Sequence, residues 1–210
     1  MSEDFYRTVR EAYAEESFIE KKSEFISYVA RIESEDEAKA FIDKIKTKHK
    51  DATHNVFAYI LKGTGIARFS DDGEPSGTAG GPVLEVIKRE NLVGVCVVVT
   101  RYFGGILLGA GGLVRAYAKA AKLGIDKAGA CEFTKHETFD VSLSYGDYEK
   151  VMRDLEKYNV ICHNTDFSDK VKLSLSCEGA YFENFASYIS DLTNGKVACE
   201  ITGSIFAPKG

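Results

Sequence analysis

The sequence predicts an α+β protein with two domains. Glycine-rich passages from strand to helix dominate the first part of the chain, where 14 of the 19 glycines precede Cys131. The second part alternates strands and helices in the order βαββαβ, which is typical of a ferredoxin-like unit. A length of 210 residues suffices for one large domain or two small ones. We therefore expect one domain over residues 1–133 and a ferredoxin-like domain over residues 134–210.

The hydrophobic pattern predicts the first elements of the chain in turn. Residues 1–16 are charged and are interpreted as a helical or frayed lead-in, whereas residues 17–32 contain two strand-like stretches. A helix should begin after Ser34, because Ser34 can cap it and Glu37 follows at the spacing of a capping box. Alternation of apolar and polar residues over 55–61 predicts a strand that returns through a glycine-containing turn.

Three further elements complete the first domain. Residues 83–90 predict a helix, with Pro82 well placed near its first turn. Residues 92–100 are almost all apolar, which is typical of a strand buried on both faces. Residues 113–123 predict a helix that ends at Gly124 as its C-cap.

The second domain has a regular order of elements. Its apolar patterns predict strands and helices of ordinary length, without a long irregular loop. They predict strands over 139–144, 160–167, 170–177 and 197–205, and helices over 147–158 and 181–192.

Composition and charge exclude several classes of protein. A hydrophobic content of 44% supports a buried core, and a net charge of −5 gives no overall positive field, so a nucleic-acid site would have to be a local patch. The start lacks the apolar run of a signal peptide, and the longest apolar stretch, residues 92–99, is far shorter than the ~20 residues that span a bilayer. The five cysteines form no CxxC pair, which disfavours a disulfide framework. We expect a cytoplasmic protein with no membrane partner.

The first candidate site follows the strand over residues 55–61 and the glycine-containing turn through which that strand returns. Asp71, Asp72 and Glu74 are candidate ligands for a hard cation, which prefers clustered oxygen ligands, although we expect no bound metal. The glycines after them let backbone N–H groups approach an anion near a helix N-terminus. The alternative is an acidic turn with a helix cap, and the segment matches neither an EF-hand nor a P-loop. The candidate residues here are Ser70, Asp71, Asp72, Gly73, Glu74, Pro75, Ser76, Gly77, Thr78, Gly80 and Gly81.

The second candidate site begins where the buried strand ends. An arginine beside aromatic residues can contact a phosphate and stack on a base. The alternative is that the glycines only make turns; the third glycine of a dinucleotide fingerprint is missing, which disfavours a Rossmann site. To these we add His54 as a candidate base or ligand and Arg68 as a further cation. The residues of the segment itself are Thr100, Arg101, Tyr102, Phe103, Gly104, Gly105, Gly111, Gly112 and Arg115.

Several of these strings resemble the IMPACT/YigZ family. They are SDDGEPSGTAG at 70–80, TRYFGG at 100–105, LLGxGGLxRAY at 107–117, KSxF at 22–25 and AxHNxxAY at 52–59. The resemblance implies an N-terminal α/β sandwich like the second domain of a small-subunit ribosomal protein. It implies that the C-terminal domain is similar to the last domain of elongation factor G. Eukaryotic members of the family regulate translation.

We therefore predict a non-enzymatic, cytoplasmic protein that binds nucleic acid or the ribosome, is linked to the regulation of translation and needs no cofactor. The expected partner is RNA or the ribosome, with a protein partner as an alternative. A second hypothesis is a metal-dependent enzyme acting on a phosphorylated or peptide substrate at residues 71–81, although no complete catalytic set is present. A third is a protein-interaction regulator that docks through its polar loops. In each case we expect residues 71–82 and 101–112 to converge.

Overall fold

The computed structural model describes residues 5–209 and divides into two compact units. Residues 6–132 form the N-terminal unit, and residues 133–209 together with Phe5 form the C-terminal unit. The first part of the chain forms β1 (Phe5–Val9), β2 (Tyr13–Glu20), β3 (Ser23–Arg31), α1 (Glu35–Lys48), β4 (His54–Ile60), β5 (Ala67–Ser70), α2 (Gly80–Arg89), β6 (Val95–Tyr102) and α3 (Ala110–Ala128).

The N-terminal unit is an antiparallel sheet with helices on both faces. The sheet has the order β2–β3–β6–β4–β5, so β6 lies at its centre. Successive side chains of a strand point to opposite faces. Accordingly, Val97 and Val99 pack in the core that α2 and α3 cover, whereas Cys96 and Val98 pack in the core beneath α1. The prediction of a strand buried on both faces is confirmed.

The Ser34 cap at the start of α1 is also confirmed, although the Glu37 carboxylate reaches back to the residue before the cap instead of to Ser34 itself. The backbone N–H of Glu37 donates to Ser34 Oγ at 3.2 Å, and the Glu37 carboxylate accepts from the N–H of Glu33 at 2.9 Å. Ala38, Ile42 and Ile45 form the buried face of the helix.

Two predictions for this unit are wrong. The lead-in is not helical, since residues 5–9 and 13–20 are strands; residues 1–4 lie outside the described residues. Most side chains of β2 are not fully buried, and an exposed edge strand carries the charges that suggested a lead-in. The third helix does not end at Gly124 but continues to Ala128, with Gly129 as its C-cap at φ +72°.

Gly124 has a packing role instead. A Cβ at this position would overlap Ser27 Oγ and lie 2.9 Å from Val29 Cγ2, so its absence lets α3 approach β3 closely. The glycine signal was therefore real, but it marks a helix–strand contact rather than a helix end.

The C-terminal unit has the predicted βαββαβ order. The elements are β7 (Ala130–Leu143), α4 (Tyr145–Asp154), a 3₁₀ turn (Glu156–Tyr158), β8 (Ile161–Phe167), β9 (Val171–Glu178), α5 (Gly179–Thr193) and β10 (Glu200–Pro208). The sheet has the path β10–β7–β9–β8 with antiparallel pairs, and β1 also pairs with β7. Residues 130–137, where the pattern changes, lie within β7.

Two properties of the whole described chain follow from these elements. All five cysteines lie among the described residues, and none of them forms a disulfide bond there. Between residues 5 and 209, no helix is both long and apolar enough to cross a membrane.

Candidate functional site

The two candidate segments meet at a buried ion pair. Glu74 Oε1 accepts a hydrogen bond from Arg101 Nη1 at 2.6 Å and another from the hydroxyl of Tyr117 at 2.7 Å. The side chains of Glu74 and Arg101 are only 3% and 6% exposed. Burial and the bond to Glu74 raise the pKa of the Tyr117 hydroxyl. The predicted convergence of residues 71–82 and 101–112 is confirmed by this contact.

Burial changes the role of Arg101. Its guanidinium lies 5.5 Å from the ring centroids of both Phe25 and Phe103, and Nη2 donates to Ser23 Oγ at 3.4 Å. The same Ser23 oxygen accepts from the N–H of Gly104 at 3.2 Å. The direct phosphate contact that sequence analysis gave Arg101 does not fit, because its charge is already paired inside the unit. Arg101 instead holds the loop after β6 in place.

Asp71 fills the anion position at the start of α2 with its own carboxylate. Its oxygens accept from the backbone N–H groups of Gly77 at 2.8 Å, Ala79 at 3.0 Å and Gly80 at 2.8 Å. Thr78 closes the same turn, since its hydroxyl donates to the carbonyl of Pro75 at 2.7 Å. The geometry therefore favours the acidic turn with a helix cap over a cradle for an external anion.

We expect Asp71→Ala to lower the free energy of unfolding of the N-terminal unit by about 2 kcal/mol, because three backbone donors lose a charged acceptor. Urea denaturation, with hydrogen exchange in α2 as the local readout, measures the change. Asp51→Ala removes an exposed carboxylate and serves as the control. Equal effects of the two substitutions would contradict this assignment.

Asp72 ties the same loop to neighbouring elements. Its carboxylate accepts from Lys46 Nζ and from the backbone N–H of Asn55, both at 2.7 Å, while its carbonyl lies 2.8 Å from His54 Nδ1. A carbonyl can only accept, so His54 carries its proton on Nδ1. The other nitrogen of His54, Nε2, lies 3.9 Å from Glu74 Oε2.

The three carboxylates therefore diverge to different partners. Asp71 binds backbone N–H groups, Asp72 binds Lys46, and Glu74 binds Arg101. Among residues 5–209, no group of three or more His, Cys, Asp or Glu side chains is placed to hold a metal ion. The arrangement does not fit the candidate metal ligands of the enzyme hypothesis.

A polar network missed by sequence analysis fixes the ends of β4 and β6. His49 is buried, with Nε2 2.5 Å from the hydroxyl of Tyr28 and Nδ1 2.8 Å from that of Tyr102. Burial lowers the pKa of His49 below its ordinary value. Nearby, Thr100 donates to the side-chain carbonyl of Asn55 at 2.7 Å. Thr100 and Tyr102 thus support the strand ends structurally.

A basic groove lies beside the first turns of α3. It has a volume of about 240 Å³, and Lys119 Nζ lies 4.3 Å from the centroid of the Phe18 ring. The N-cap residue of α3 is Gly109, so no side chain of the cap residue bonds the first N–H groups of the helix. We call this groove the α3 groove and define it by Phe18, Glu20, Lys21, Leu108, Gly112, Arg115, Ala116 and Lys119.

The turn between β2 and β3 forms one side of this region. Lys21 and Lys22 both have positive φ, 45° and 64°, a conformation that side-chain-bearing residues adopt at a cost. Gly104 packs against this turn so closely that a Cβ there would overlap the carbonyl group of Lys22. The loop after β6 and the lysine turn are therefore held together. Next to them, Phe103 is 46% exposed and Leu107 is 81% exposed.

The remaining candidates separate by position. Gly111 lies near Arg115, since a Cβ there would be 3.6 Å from Nη1 of that arginine, and Gly105 is exposed on the same loop. Arg68 lies on β5, at the opposite sheet edge from β2, so it does not join the α3 groove.

In the first segment, Ser70 Oγ accepts from the N–H of Asp72 at 3.1 Å. The exposed residues of that segment are Gly73, Pro75, Ser76 and Gly77, while Gly81 is partly buried in α2.

Phe18, Lys21 and Lys119 line the basic groove but are not among the residues predicted from the sequence. The KSxF string at residues 22–25 was the available signal, because it follows Lys21 directly. Only the pairing of β2 with β3 and the packing of α3 on both strands bring these residues together.

Comparison with known proteins agrees with this architecture. Residues 21–125 match the Impact N-terminal domain, and residues 141–196 match a domain of unknown function, DUF1949. The chain is 42% identical over 192 residues to IMPACT family member YvyE of Bacillus subtilis, an alignment that covers 91% of this chain and 88% of that protein. It is 31% identical over 180 residues to IMPACT family member YigZ of Escherichia coli, with 84% and 88% covered. A crystal structure of a hypothetical protein, 28% identical, matches 95% of this chain and 98% of its own with a TM-score of 0.59.

Proposed function

The chain belongs to the IMPACT family, and on that premise we propose that it is a cytoplasmic, non-enzymatic protein that binds RNA or the ribosome and acts in the regulation of translation. The observation that carries the proposal is the charge of the α3 groove. Lys21, Arg115 and Lys119 line it together with one carboxylate, that of Glu20. The net charge of −5 gives the whole chain no positive field, but the groove supplies the local positive patch that nucleic-acid binding needs.

The backbone of α3 adds to the attraction for phosphate. The first N–H groups of a helix carry partial positive charge and have no partners within the helix. Gly109 leaves this end without a side-chain cap, and Gly109, Ala110 and Gly111 are exposed. Cationic side chains and exposed N–H groups at one helix end suit a phosphate backbone.

Exposed aromatic surface next to the groove supports binding of unpaired bases. Phe103 lies two residues after Arg101, and the buried guanidinium beneath its ring holds it in place. Stacking of a base on such a ring contributes about 1–3 kcal/mol. In this proposal Phe103 contacts the nucleic acid and Arg101 does not, whereas the sequence predicted a contact from both.

The same loop also supports a second candidate function, binding of a protein partner. Ile106 and Leu107 are 41% and 81% exposed, and adjoining exposed apolar side chains are a common feature of protein-binding surfaces. No contact among the described residues favours the enzyme hypothesis, because Asp71, Asp72 and Glu74 are all engaged within the fold.

Fluorescence anisotropy with labelled single-stranded and duplex RNA, together with ribosome co-sedimentation, tests the proposal across a salt series. We expect Arg115→Gln and Lys21→Gln each to weaken binding by about tenfold at low salt and to reduce the salt slope by about one, because each removes one phosphate contact. Phe103→Ala should weaken binding to single-stranded RNA more than to duplex.

Lys39→Gln is the matched control. Lys39 is an exposed lysine of α1, which covers the opposite face of the sheet from α3. Equal effects of Lys39→Gln and Arg115→Gln would contradict the assignment to the α3 groove. No salt-dependent binding to RNA or ribosomes would contradict nucleic-acid binding altogether, and a nuclease-resistant protein partner lost in Leu107→Asp would then favour the second candidate.

A further inference from the structure

A second cavity lies entirely within the C-terminal unit and has no part in the proposed function. Its volume is about 320 Å³, enough for a small organic molecule. Apolar side chains of Val160 and Ile161 form part of its wall. Its polar lining consists of His136, Glu156, Asn159, Glu178, Tyr181 and Lys209.

His136 is the unusual member of this lining. It is 3% exposed, and neither ring nitrogen has a hydrogen-bond partner among residues 5–209. Buried polar atoms are almost always partnered, because an unmet hydrogen bond costs free energy. Burial also lowers the pKa of His136, so the neutral ring offers one donor and one acceptor.

The charges around His136 select the ligand. Glu178 is its cross-strand neighbour on β9 and accepts from Thr134 Oγ1 at 3.1 Å, and Glu156 contributes a second carboxylate. With Lys209 as the cation, the lining carries a formal charge of −1. An anion would meet two carboxylates, and a hydrocarbon would leave His136 unpartnered. A cation with N–H donors is attracted by the carboxylates and gives the unprotonated nitrogen of His136 a donor, and the ring of Tyr181 presents a suitable aromatic surface.

We propose that this cavity binds a small organic cation whose amine or guanidinium group donates hydrogen bonds to the carboxylates of Glu156 and Glu178 and to the unprotonated nitrogen of His136. The carboxylates supply charge complementarity, and His136 supplies the neutral acceptor at the buried end. Nearby, Asn159 holds its backbone in the left-handed region at φ +53°, which shapes the turn that closes the 3₁₀ segment before β8.

Amide-resolved NMR titration of the full chain tests the proposal, with agmatine and putrescine as cationic probes. Butyramide serves as the neutral probe and glutarate as the anionic probe. We expect saturable shifts at His136, Glu178 and Tyr181 with the cations alone. Absence of saturable shifts with both cations at millimolar concentration, or equal shifts with butyramide or glutarate, would overturn it.

Two variants locate the interaction. Glu178→Gln preserves shape and should weaken agmatine binding at least about tenfold, because a charged hydrogen bond is lost. Glu183→Gln removes an exposed carboxylate of α5, the helix that begins directly after Glu178, and should leave affinity unchanged. His136→Phe should also weaken binding, with the amide spectrum away from the cavity as the check on folding; unchanged affinity in Glu178→Gln would refute the site even if His136→Phe does not fold.

Discussion

Glu74→Gln is expected to destabilise the N-terminal unit by about 3–5 kcal/mol, because it removes one partner of a buried ion pair and leaves the Arg101 charge uncompensated. Arg101 is 5% exposed, so water cannot replace the lost carboxylate without opening the loop after β6. Hydrogen exchange of the β6 amides in the full chain measures this loss locally, independently of the C-terminal unit.

An exposed pair of the same unit provides the control. Lys88 and Glu85 form an ion pair of 2.9 Å on α2, with both side chains at least half exposed. Glu85→Gln should change stability by less than about 1 kcal/mol, because exposed pairs contribute little. A double variant, Glu74→Gln with Arg101→Met, should recover much of the loss, because no buried charge remains. If Glu74→Gln costs no more than Glu85→Gln, the pair does not organise this site.

The features that sequence predicted well are those that neighbouring residues determine. Ser34 and Glu37 cap a helix because they lie three residues apart, and the apolar run that includes residues 95–99 has to be buried on both faces. The βαββαβ order follows from successive hydrophobic periods in the same way. Such patterns require no knowledge of which distant elements touch.

The site was harder to predict because its contacts join distant residues. Arg101 and Glu74 are separated by 27 positions, and the sequence does not show that both are buried. A free arginine was therefore the natural interpretation of an arginine beside aromatic residues. The same limit applied to Asp71, whose carboxylate binds backbone N–H groups up to nine positions away.

His136 shows the same limit for a residue that no sequence motif marks as a site residue. It occurs in a strand with no metal-binding spacing, and as a single histidine it carries no motif. The pairing of β7 with β9 places Glu178 opposite it, and the turn before β8 and the start of α5 complete the enclosure. Its significance comes from missing hydrogen bonds, a property that exists only in the folded chain.

Gly104→Ala is the second substitution with a large expected effect. The added Cβ would overlap the Lys22 carbonyl and lie 2.5 Å from the backbone nitrogen of Ser23, and backbone atoms cannot rotate away as a side chain can. The loop after β6 or the lysine turn must therefore move. We expect a loss of about 3 kcal/mol in the free energy of unfolding. Displacement of Lys21 and Phe103 should also weaken RNA binding at least as much as Arg115→Gln does.

Gly81→Ala is the control for Gly104→Ala, because it replaces a glycine of the same unit without a steric overlap. Nothing lies within 4 Å of a Cβ at Gly81, which sits in the first turn of α2 without positive φ. Alanine there should be neutral or stabilising by up to about 1 kcal/mol, because helices favour alanine over glycine. Wild-type stability and RNA affinity in Gly104→Ala would show that the lysine turn and the loop after β6 are not locked together. The α3 groove would then lose the rigid support that we assign to it.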